Sequence, residues 1–73
     1  MLPSKSLADF LGNRGYKYKG EDRRHKIYAH PQTRHRAVIP QRDVIDEQTA
    51  GNILRQAGET ADTVKKFLND AKS

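Results

Sequence analysis

This 73-residue chain has no cysteine and no tryptophan, and only two phenylalanines. Without cysteine, a disulfide-stapled scaffold and a thiolate zinc site are both excluded, and a reducing compartment is implied. With so few large aromatics, hydrophobic residues at 34% and a mean hydropathy of −0.97, the core must be thin. A chain of this size forms one small domain, here residues 1–73. It buries roughly 60% of its unfolded surface and has no room for a large lidded substrate cavity. No stretch approaches the ~20 apolar residues of a membrane span. The opening MLPSKSLADF has no apolar run of signal-peptide length. The expectation is a cytoplasmic protein with no membrane contact.

What the chain does have is positive charge, unevenly placed. Lys and Arg number 14 against 9 Asp and Glu, a net +5. Residues 1–42 carry ten basic side chains and three acidic ones, whereas residues 43–73 carry four basic and six acidic. A basic half attracts a polyanion by releasing its condensed counterions. Charge alone does not name the partner, and a solvated surface carries the same balance.

Hydrophobic spacing predicts the elements. Ser4 is a candidate N-cap for a helix whose face is Leu7, Phe10 and Leu11, weakened at Gly12 and ended by Gly15, with Arg14 at the negative end of its dipole. Tyr16 to Lys19 alternates aromatic with cation, as a half-buried strand does, and Gly20 to Arg23 reads as a turn. Arg24 to Ala29 and Arg34 to Ile39 are two further strands, separated by a turn at His30 to Thr33 and stopped by Pro40. A polar connection then leads to a helix from Asp46 to Ala57, with Gly58 as its C′ residue. Thr60 caps a last helix, residues 60–71, with the stripe Val64, Phe67, Leu68 and Ala71. The fold class expected is α+β, a small antiparallel three-stranded sheet covered on one face by helices.

The densest chemistry lies around His25. Arg23, Arg24 and Lys26 flank it, and Lys19, Arg34 and Arg36 extend the basic run. Histidine both accepts and gives a proton near neutral pH, and cations hold a phosphodiester and stabilise charge on its oxygens. RNA brings its own nucleophile, the 2′-hydroxyl. A nuclease acting through it needs a base, an acid and a positive clamp, but no metal or other cofactor. His30, before Pro31, suits a strand end or turn. His35, within Arg34-His35-Arg36, suits a backbone phosphate or an ordinary strand end. Three histidines at i, i+5 and i+10 span two strands and a turn among many cations, so no metal site is expected. Tyr16, Tyr18 and Tyr28 offer base-stacking surfaces, but a small core needs at least two of them for packing. Alternation leaves one question open. If Ile27 faces the helices, His25 is reachable only at the sheet edge; if Tyr28 does, His25 lies on the open face.

An ordered set of these segments resembles the HicA toxins of bacterial toxin–antitoxin pairs. It comprises Arg14-Gly15-Tyr16, Gly20, the run His25-Lys26-Ile27-Tyr28-Ala29-His30-Pro31, then Ala37-Val38-Ile39-Pro40, and TAGNILRQAG from Thr49 to Gly58. The resemblance covers about residues 4–58. It implies a fold like that of double-stranded-RNA-binding domains, α-β-β-β-α, here with an extra C-terminal helix. It also implies ribosome-independent cleavage of messenger RNA, a free toxin that is a monomer, and neutralisation by a HicB-type antitoxin. The family's catalytic histidine corresponds to His25. Where the family places glycine and a small residue directly before that histidine, Glu21-Asp22-Arg23-Arg24 intervene here. The competing expectations are a non-catalytic module that binds RNA or DNA through the same basic face, and an adaptor that docks an acidic protein there.

Overall fold

Small and apolar residues alternate with exposed ones from Arg36 to Pro40, and that period of two decides which side of the sheet is covered. In the computed structural model, which describes residues 1–72, the elements in chain order are β1 (Leu2–Pro3), α1 (Ser4–Asn13), β2 (Lys17–Glu21), β3 (His25–Ala29), β4 (Arg36–Pro40), β5 (Val44–Ile45), α2 (Glu47–Gln56) and α3 (Ala61–Lys72). Strands β2, β3 and β4 form an antiparallel sheet in that order, and β1 pairs with β5 in a separate two-stranded ribbon. Ala37 and Ile39 of β4 are buried beneath the helices, whereas Val38 is exposed.

Directly opposed residues share a face of the sheet, so the register assigns every side chain of β3. Tyr28 lies opposite Ala37 and Lys26 opposite Ile39, on the helix side. His25 opposite Pro40, Ile27 opposite Val38 and Ala29 opposite Arg36 form the open side. Tyr28, packed against the core, is therefore the covered residue, and the question the sequence left open is resolved. His25 lies on the uncovered face.

The helices bury the stripes their spacing predicts. Leu7 and Leu11 of α1, Leu54 of α2 and Val64 of α3 are the largest fully buried side chains. Burying one such side chain stabilises by roughly 1.5–3 kcal/mol. Phe10 packs on Phe67 with ring centroids 4.9 Å apart, joining α1 to α3. The Thr60 hydroxyl accepts the Thr63 N–H at 3.2 Å, so it caps α3 as expected. No helix among the described residues is long and apolar enough to cross a membrane.

Four local expectations are corrected. Ser4 is not the N-cap of α1; Pro3 holds that position, and the Ser4 N–H donates to the Asp43 carbonyl at 2.9 Å instead. That bond follows from the β1–β5 ribbon, which puts Asp43 beside the start of α1. The first strand of the sheet runs past Gly20 to Glu21, because a bulge between Tyr18 and Gly20 absorbs one extra residue. The turn is consequently Asp22 to Arg24. Tyr16 precedes this strand and is buried in the core. Pro40 belongs to β4 as its last residue, where an edge strand tolerates the missing donor.

Candidate functional site

The tip of the β2–β3 hairpin is built by one carboxylate. Asp22 Oδ1 accepts the backbone N–H groups of Arg24 and His25, both at 2.8 Å, and the Asp22 N–H donates to the His25 carbonyl at 2.9 Å. An aspartate that closes a turn on the backbone two and three residues ahead is the reason Glu21-Asp22-Arg23-Arg24 folds as a tight tip rather than a loose loop. The N–H of Arg24, then that of His25, hold the Asp22 carboxyl below its ordinary pKa. Glu21 is likewise held low, first by the Tyr18 hydroxyl that donates to it.

The register then carries the chain after β4 to the same place. His25 pairs with Pro40, and the Gln41 N–H donates to the Arg24 carbonyl at 2.7 Å. Gln41 also donates its side-chain amide to the Asp22 carbonyl, tying β4 to the hairpin tip. The result is a cleft of about 690 Å³ in which Arg23, Arg24, His25 and Arg42 line one space, with Asp46 and Thr49 from the start of α2. The His25 side chain is 42% exposed, so its ring is reachable from solvent. Three arginines share this cleft with it. Asp46 is the acidic side chain of the lining, its pKa held below the ordinary value chiefly by the Thr49 hydroxyl. The carboxylate beside the ring is Asp22, whose Oδ1 lies 3.7 Å from His25 Nδ1.

Of the residues predicted to bind nucleic acid, the structure brings Arg23 and Arg24 to His25 and separates the others. Lys26 points to the helix side and lines a second cleft of about 580 Å³ with Lys5, Tyr28 and Arg42. Lys19 is exposed on edge strand β2, at the bulge. Arg36 shares the open face with His25 but sits opposite Ala29, four residues along β3, or about 13 Å away at the rise of a strand. Arg34 is in the β3–β4 turn with φ 65°, at that same far end. The cations are thus divided among the His25 cleft, the far end of the sheet beyond Ile27 and Val38, and the helix-side cleft of Lys5 and Lys26.

Arg42 is the residue that sequence reasoning missed. It lines both clefts, between the His25 cluster and the Lys5–Lys26 pair. The signal was present in the strand pairing: with His25 opposite Pro40, residues after Pro40 must run alongside those before His25.

The remaining histidines serve the fold. His30 Nδ1 accepts the N–H groups of Gln32 and Thr33 at 3.1 and 3.2 Å, which is the expected turn role, and its ring meets Tyr16 edge-on at 5.3 Å. The His35 ring covers Gly58, so neither it nor His30 is near the cleft that holds His25. Tyr16 is in the core and Tyr28 packs against it, while Tyr18 stacks edge-on with Tyr28 at 5.6 Å. None of the three lies on the open face. No group of three or more His, Cys, Asp or Glu side chains capable of holding a metal occurs among the described residues.

Fold and site together define a small basic α+β domain in which a solvent-reachable imidazole shares a cleft with three arginines. The chain matches no protein-family model, and a search of curated proteins returns no match.

Proposed function

We propose that this chain is a metal-independent endoribonuclease of the HicA type that cleaves messenger RNA, with His25 as its proton-transfer group. The observation that carries this reading is the clustering of a reachable His25 with Arg23, Arg24 and Arg42 in one cleft. The cations draw in an RNA phosphodiester and hold it against the imidazole. His25 takes the proton of the 2′-hydroxyl as that oxygen bonds to phosphorus. The bond from phosphorus to the 5′-oxygen breaks, and the leaving oxygen takes a proton from the imidazolium or from water. A 2′,3′-cyclic phosphate and a free 5′-hydroxyl result. The guanidinium groups stabilise the charge that grows on the phosphoryl oxygens. Lys26 and Arg36 extend the attraction around the sheet edge and along its open face.

The same basic surface suits an acidic partner, and a HicB-type antitoxin covering it would block RNA by occupying the cleft. The cytoplasm, where messenger RNA and such a partner are present, is the compartment this reading requires.

The test is cleavage of a single-stranded RNA by the purified chain in EDTA. Activity should persist in EDTA and fall by about 10²–10⁴-fold in His25→Ala, the usual worth of general acid–base assistance. Activity retained by His25→Ala, or lost to EDTA in the parent protein, overturns the reading. RNA binding with no cleavage at any protein concentration assigns the surface to a non-catalytic module instead.

A further inference from the structure

Asp22 stands in a relation to His25 that its turn-forming role does not require. Its Oδ1 is anchored by two backbone donors, Arg24 N–H and His25 N–H at 2.8 Å each, and the same oxygen lies 3.7 Å from Nδ1 of the His25 ring. That separation is beyond a hydrogen bond but well within the range of a direct charge interaction. The carboxylate cannot swing out of this position without opening the hairpin tip. The cleft that His25 lines is also lined by Arg23, Arg24 and Arg42.

A neutral imidazole has one N–H and one lone pair, and its surroundings decide which nitrogen carries the proton. An anionic oxygen beside Nδ1 favours a proton there. That influence selects the form with Nδ1 protonated and Nε2 free to accept.

We infer that Asp22 is a positioning residue for His25: fixed by the hairpin tip, its carboxylate holds the imidazole in the Nδ1–H form and leaves Nε2 as the proton acceptor. The value of this to catalysis rests on the proposed ribonuclease reading, but the ring's protonation pattern does not.

The experiment is nitrogen-15 NMR of the histidine rings in the full chain at about pH 8, where imidazoles are largely neutral, for the parent protein, Asp22→Asn and Asp22→Ser. Asparagine keeps the oxygen that accepts the Arg24 and His25 N–H groups and removes the charge. Serine also closes such turns through its hydroxyl and serves if asparagine disturbs the tip. The backbone amide shifts of Arg24 and His25 report whether the turn survives. The expected result is a His25 ring mostly Nδ1–H in the parent protein, moving toward Nε2–H by on the order of fivefold in the population ratio once the charge is gone. A ring that is mostly Nε2–H in the parent protein, or a ratio unchanged in a variant with an intact turn, overturns the inference. RNA cleavage measured alongside separates the two ideas. If the tautomer responds but the parent protein cleaves no RNA, the positioning role stands and the ribonuclease reading falls. If the parent protein cleaves and neither tautomer nor kcat responds to loss of the charge, the reverse holds. With both correct, kcat falls by a similar factor at unchanged KM.

Discussion

The hydroxyl of Tyr16 donates a buried hydrogen bond to the carbonyl of Ala57 at 2.6 Å, tying the end of α1 to the end of α2 across 41 residues of sequence. The residues on either side repeat the connection, since Arg14 pairs with Glu59 at 2.6 Å. Tyr16→Phe keeps the ring in the core and strands the Ala57 carbonyl without its partner. Leaving a buried acceptor unsatisfied costs about 1–3 kcal/mol. In a domain of this size each kcal/mol lowers Tm by roughly 4–8 °C. Urea melts should show a lower midpoint with an unchanged m-value, because the surface exposed on unfolding is the same.

Gly58 has φ +86° just after α2, and a Cβ built there would come within 2.5 Å of the His35 ring. Gly58→Ala therefore meets two separate costs, a left-handed backbone and a clash with an imidazole. The backbone cost is about 1–2 kcal/mol for an L-residue, and the clash adds to it. His35→Ala introduced together with Gly58→Ala should recover the steric part and leave the backbone part. A double-mutant cycle by chemical denaturation reads that difference as a coupling energy. Strict additivity would show that the ring simply moves aside.

Acid should unfold the protein through carboxylates at the hairpin tip and before α2. Asp22 and Asp46 are both held below the ordinary 3.8, Asp22 first by the Arg24 N–H and Asp46 first by the Thr49 hydroxyl. A carboxyl whose folded pKa is lowered contributes stability that is present above its ordinary pKa and lost as pH falls through the folded value. The acid limb of the stability curve should thus lie below about pH 3.8, and Asp22→Asn should make it shallower. Tyr16 works in the opposite direction. Its pKa is raised above 10.0, chiefly by burial, so its contribution is complete below that pH and lost as pH rises through the folded value. Equilibrium melts across a pH series test both limbs, and an acid limb unchanged in Asp22→Asn would remove the hairpin tip from this account.

How legible the molecule is from its sequence depends on whether a segment has a period. The stripes Leu7, Phe10 and Leu11, then Ile53 and Leu54, then Val64, Phe67 and Leu68 recur at helical spacing, and each helix is found where they are. Ala37 and Ile39 alternate cleanly, so β4 was readable as well. Strand β3 was readable as a strand but not as to face, because both Ile27 and Tyr28 are apolar and only pairing with Ala37 and Val38 separates them. Strands β1 and β5 have two residues each, too few for any period. At the candidate site, His25 with Arg23 and Arg24 formed a continuous string. Arg42 joins them only through the third dimension, and Lys26, their neighbour in sequence, turns to the opposite face because successive strand residues must.

That division of the cations gives the ribonuclease reading a quantitative consequence. Arg42 lines the cleft of His25, whereas Arg34 sits in the β3–β4 turn at the other end of the sheet. Each phosphate neutralised on single-stranded nucleic acid steepens the dependence of log K on log salt by about 0.7. Arg42→Ala should therefore weaken binding of a short single-stranded RNA and reduce the slope by about 0.7, if it holds one phosphate. Arg34→Ala should leave the slope nearly unchanged for an RNA short enough to occupy the His25 end alone. His25→Ala should alter neither quantity appreciably, since an imidazole that moves protons contributes little to holding the chain of phosphates. Fluorescence anisotropy across a salt series measures all three variants. An equal loss of slope for Arg34→Ala and Arg42→Ala would mean that the RNA runs the length of the open face, over Ile27 and Val38. A loss confined to Arg34→Ala would place the nucleic acid at the wrong end of the sheet for His25 to act on it.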